Sequence, residues 1–150
     1  MPTKHINDIL ETQIYTVAKD AAVLVNGTTI FTITGGPILI EEIVAICVTA
    51  NNGTASTLQF SADGTDGAAT TISGASASLA NAAAGTIVAT VPGTLATAPA
   101  IYANGVGIAG TVGIIVPAGI ITTVVGVGST TGTWKLAMRY RPLVAGVQVY

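Results

Sequence analysis

The sequence predicts an all-β fold: a single antiparallel β-sandwich domain, jelly-roll-like, with a short N-terminal arm. Three observations carry this expectation. Half of the 150 residues are apolar while aromatic residues are only 5%, so the hydrophobicity comes from Ala, Val, Ile and Leu, with Gly and Thr supplying most of the rest. Short strand-like runs follow one another with turn signals at intervals of roughly 8–12 residues, the spacing of sandwiches and barrels. No amphipathic segment of helix length interrupts them, which argues against a parallel sheet with helical crossovers. The length suits one domain, large enough to build a core without disulfides or metals.

Residues 1–20 form the expected arm, and 21–150 the sandwich. The arm holds Lys4, Asp8, Glu11, Lys19 and Asp20, a large share of all the charges. Ile6, Ile9, Leu10 and Ile14 have some helical spacing, which suggests a short helix over 7–13. Tyr15 to Ala18 then reads as extended, attached at the edge of the body. The first strands of the body are Ala22–Val25 and Thr29–Thr34, joined by Asn26-Gly27, a strong hairpin signal because both central residues tolerate positive φ. Gly35-Gly36-Pro37 breaks the chain before a long strand over Ile38–Ala50, and Asn51-Asn52-Gly53 turns it again.

Thr57–Ala62 alternates cleanly, with Leu58, Phe60 and Ala62 on one face, the pattern of a half-buried strand. Asp63–Gly67 reads as an exposed acidic loop, and the Ala/Ser/Thr-rich stretch 68–84 resists assignment. Thr86–Val91, Ala100–Tyr102, Val112–Val116 and Ile120–Val125 are further strands, followed by a Gly/Ser/Thr connector at 126–132. The final strand, Thr133–Arg141, presents Trp134, Leu136, Met138 and Tyr140 on one face, and Pro142 ends it. Opposite them stand Thr133, Lys135, Ala137, Arg139 and Arg141.

Charged residues are only 8% of the chain, against about 25% in ordinary soluble proteins. Between Glu42 and Lys135 the sole charges are Asp63 and Asp66. Nucleic-acid surfaces need clustered Lys or Arg to displace counterions, so DNA or RNA is not an expected partner. A body with so few charges implies that part of its surface is covered in a lasting contact, since obligate interfaces resemble a core cut in half. The uncharged run 108–127 has the length of a membrane span. Its glycines, central Pro117 and β-branched residues instead predict two strands around a turn at Pro117-Ala118-Gly119. The start of the chain carries neither an apolar core nor a small-residue cleavage site, so no secretory leader is expected.

Catalytic chemistry lacks reagents, so no enzyme, cofactor or metal is expected. The single histidine, His5, lies in the arm, away from any Ser-His-Asp or Cys-His arrangement. Glu41 and Glu42 are neighbours in a strand and should point to opposite faces, which keeps them from converging. Cys47, in the apolar run Ile43–Val48, reads as a small buried hydrophobe. Asp63-Gly-Thr-Asp-Gly67 opens like a calcium loop, but the twelfth position holds Gly74 where a bidentate Glu is needed. Lys135, Arg139 and Arg141 form a basic stripe with two readings: a contact with an acidic neighbouring subunit, for instance through Glu41 and Glu42, or with an assembled shell; and protection of an edge strand. Trp134 reads as a core or interface anchor.

Two blocks, Thr29–Val44 (TIFTITGGPILIEEIV) and Gly132–Leu143 (GTWKLAMRYRPL), resemble small β-rich virion proteins of tailed bacteriophages. The resemblance implies a capsid decoration (cement) protein: a structural, non-enzymatic homo-oligomer, typically trimeric, on the capsid surface and bound to the major capsid protein. Interface candidates on this reading are His5, Ile9, Ile14, Glu41, Glu42, Trp134, Lys135, Arg139 and Arg141. A tail or spike subunit touching the host surface is the alternative, followed by a small holin-like membrane protein.

Overall fold

The computed structural model describes residues 13–65, 67–90 and 113–150, together with the backbone of 107–108. Its elements are β1 (Tyr15–Val23), β2 (Thr29–Thr34), β3 (Ile38–Cys47), β4 (Thr57–Gly64), β5 (Thr70–Thr71), β6 (Ile87–Ala89), β7 (Gly107–Ile108), β8 (Ile114–Val116), β9 (Gly119–Gly126), β10 (Thr133–Pro142) and β11 (Gln148–Val149). All described pairings are antiparallel. The first sheet runs β1-β10-β3-β8-β7, with β6 also paired to β3, and the second runs β11-β2-β9-β4-β5.

Four pairings nest one inside the next: β1 with β10, β2 with β9, β3 with β8, and β4 with β5. The chain is therefore one long hairpin with its tip at β4–β5, and its two arms cross together from sheet to sheet. Wrapping the hairpin brings β10 against β3 and β9 against β4. This is the jelly-roll arrangement, and it confirms the expected antiparallel sandwich.

Period-two alternation builds the core. Leu58, Phe60 and Ala62 from β4, Trp134, Leu136, Met138 and Tyr140 from β10, and Ile38, Ile40, Ile43, Ala45 and Cys47 from β3 are buried between the sheets. Phe31 and Ile33 from β2 and Ile121 and Val125 from β9 meet them from the second sheet. Cys47 is a buried free thiol, its Sγ 3.2 Å from the Thr49 carbonyl oxygen, as a small hydrophobe with a weak donor should be.

The structure corrects the sequence reading at several points. Asn26-Gly27 is not a hairpin turn: β1 lies in the first sheet and β2 in the second. Only Gly27, at φ 77°, takes a positive φ there, whereas the tight hairpin turn would need both residues to do so. Asn26 serves the corner instead, its Oδ1 accepting the Val125 N–H at 3.1 Å. The sandwich reaches back to Tyr15, so the last part of the expected arm is edge strand β1. β4 continues through Gly64, taking the start of the acidic loop into the ladder. Pro117-Ala118-Gly119 does turn between two strands, but β8 and β9 belong to different sheets. Gly119 is required there, because a Cβ would stand 2.1 Å from the Asp63 carbonyl oxygen. The expected helix, apart from Gln13, which is not helical, and the expected strand at 100–102 lie outside the described residues.

Stretch 68–84, unassignable from sequence, lies along the open edge of β4. The Ser73 and Ser76 hydroxyls accept the Phe60 and Leu58 N–H groups, each at 2.9 Å, and the Gln59 side-chain amide donates to the Ser73 carbonyl at 2.9 Å. Backbone bonds from Ile72 to Phe60, Ser76 to Leu58 and Leu79 to Ser56 complete the cover. Serine hydroxyls thus replace the ladder partners that an edge strand lacks.

Candidate functional site

The outward face of the first sheet brings the sequence-predicted residues together. A β-bulge makes it possible. The β10·β3 register opposes Arg139 to Glu42 and then Tyr140 to Ile40, which leaves Glu41 as the extra residue. Ile40 and Ile43 are both in the core, so the two residues between them share the outer face. The expectation that Glu41 and Glu42 point to opposite faces is therefore overturned, because strict alternation fails where one strand carries an extra residue.

Glu41 has only 6% of its side chain exposed and holds two cations. Arg139 forms an ion pair with it, Nε lying 2.9 Å from Oε2, and Arg141 Nε donates to its Oε1. One reading of the basic stripe fails and the other narrows. β10 lies between β1 and β3, so its cations protect no edge. Glu41 neutralises two arginines within the same chain, so it is not the carboxylate that a neighbouring subunit would offer them. Glu42 and Lys135 form no ion pair among the described residues.

Register extends the face into rows. Ile87 of β6 stands beside Ile46 of β3, which stands beside Lys135 of β10. The next row is Ala89, Val44, Ala137 and Ala18, and the next holds Glu42, Arg139 and Thr16. Ile87 is 63% exposed and Ile46 37%, with Val48 and Val23 also exposed near that end. The sequence reading missed Ile46 and Ile87. The signal was present in the continuous apolar run Ile43–Val48, whose alternate members had to face away from the core.

The other candidates separate. Trp134 is fully buried between the sheets and so is a core residue with no surface to offer. Ile14 is exposed just before β1. His5 and Ile9 lie outside the described residues. Tyr140, buried at the rim of the core, stacks on Tyr15 with ring centroids 5.7 Å apart. Burial, aided by the nearby Tyr15, pushes the Tyr140 phenol above its ordinary 10.0.

Among the described residues, no group of three or more His, Cys, Asp or Glu side chains is placed to hold a metal ion, and no helix is long and apolar enough to cross a membrane. What the face offers chemically is aliphatic contact area carrying a few oriented charges. No family model, curated protein or solved structure matches this chain.

Proposed function

We propose that this chain is a structural virion protein: a capsid decoration (cement) protein of a tailed bacteriophage that associates with itself and binds the major capsid protein on the shell surface. The observation that supports this reading is the outer face of the first sheet, where exposed Ile46 and Ile87 adjoin a row of Ala and Val in a chain with 8% charged residues. Such a face gains by being covered, at about 25 cal/mol per Å² of apolar area removed from water. Contacts that are weak singly become strong when repeated over a lattice. The jelly roll is compatible, since it recurs in viral capsid proteins as well as in lectins and cupins, but fold does not assign function.

The mechanism is adhesion, with residues 1–12, including His5 and Ile9, contacting the capsid protein. Imaging intact particles with this chain labelled tests the proposal. Copies distributed over the head are expected. Copies confined to the tail would replace the reading with the tail or spike alternative. Deleting residues 1–12, which spares β1, should abolish shell binding and leave self-association intact.

A further inference from the structure

We infer that the outer face of the first sheet docks on the same face of a second copy about a two-fold axis running along the channel between β3 and β10. This deepens the self-association reading above, rests on it, and proposes a two-fold contact where the resemblance implied a three-fold one. The argument begins with the register, which opposes Arg139 to Glu42, Ala137 to Val44 and Lys135 to Ile46. An axis parallel to both strands and midway between them carries each β3 residue over its own register partner in the other copy. Arg139 then stacks on Glu42 twice, once from each side, and Ala137 covers Val44 twice. The Lys135 stem lies along Ile46 with its ammonium reaching outward. The contact is isologous and closes on itself.

Charge complementarity favours this occupant over others. Arg139 is held beside Glu41 by an ion pair at Nε, and its side chain is 52% exposed, so a positioned guanidinium remains accessible on the outer face. Glu42, directly opposite, has no ion-pair partner among the described residues. Each copy thus presents one oriented donor fork and one unengaged carboxylate, side by side, which is what a self-complementary two-fold contact requires. The neighbouring row, Ala89, Val44, Ala137 and Ala18, is small and permits close approach of two sheets, which pack about 10 Å apart and within about 30° of parallel.

Size fits a weak, specific contact. Four strands at about 4.8 Å spacing, over four rows of side chains, give roughly 500 Å² per copy. A pair therefore buries roughly 1,000 Å², the lower bound for a biological interface.

Sedimentation velocity on the full chain over a range of concentrations, at low and high salt, tests this. Wild-type protein should self-associate, more weakly at high salt. Glu42→Arg, which sets like charges against Arg139, and Ile87→Lys should each weaken association about tenfold or more. Thermal melts should show both variants folded, since neither side chain belongs to the core. In a mixture, Val44→Cys and Ala137→Cys chains should cross-link to each other in preference to themselves. If wild-type protein associates but neither Glu42→Arg nor Ile87→Lys weakens it, this face is the wrong one and self-association still stands. If the variants weaken it but the cysteines cross-link only like to like, the two-fold axis is wrong. Wild-type protein that stays monomeric throughout overturns both the inference and the reading beneath it.

Discussion

Trp134 is fully buried, yet its indole Nε1–H has no hydrogen-bond partner among the described residues. An unpaired buried donor costs about 1–3 kcal/mol, while the large ring around it supplies packing. Trp134→Phe removes the unpaired donor at the expense of some ring volume, so its net effect on stability should stay within about 1.5 kcal/mol. Trp134→Ala should lose about 3–5 kcal/mol. Urea denaturation of the two variants measures both. Tyr140 gives a pH signature. Its phenol titrates above 10.0 in the folded state, so the neutral form is the one the fold favours. Its contribution is complete below about pH 10 and is lost as the pH rises through the raised value. Melting temperature should therefore fall in alkaline solution, and Tyr140→Phe should flatten that decline. Residue alternation made the core position of Tyr140 legible in the sequence. The pairing of Glu41 with two arginines was not, because it depends on a bulge that no local signal marks.

At the scale of elements, β2, β3, β4, β9 and β10 were legible because each alternates or runs apolar between strong turn residues. The short strands β5 and β11 were not. They add little apolar area and exist because a neighbouring edge offers unpaired backbone groups. The same holds for the serines along β4. A Ser73→Ala, Ser76→Ala double variant leaves the Phe60 and Leu58 amides without acceptors, at about 1 kcal/mol or more each. Hydrogen exchange should accelerate at those two amides, with aggregation rising as the β4 edge opens. Unchanged protection at both would show that the hydroxyls are dispensable.

For the whole molecule, the nested pairings join opposite ends of the chain: β1 is held by β10 and β2 by β9. Such contacts must close long loops before they stabilise anything, so folding should be slow, on the order of milliseconds to seconds or longer. The single tryptophan lies in β10, so its fluorescence in stopped-flow refolding reports the closing step directly. A chain lacking residues 133–150 loses the strand between β1 and β3 and should show no cooperative unfolding transition.

The sequence by itself determined that the fold is all-β, where most strands lie, which face of each is buried, and how few charges the chain can place on its surface. Those properties are local or additive: alternation, turn chemistry and composition act within a few residues or sum over the chain. Tertiary structure alone decided that Asn26-Gly27 turns a corner between sheets, that Glu41 and Glu42 share a face, and that Ile46, Ile87, Glu42 and Arg139 form one surface. Each of these depends on which strand lies beside which, and strand pairing across the length of a jelly roll leaves no mark within any single strand.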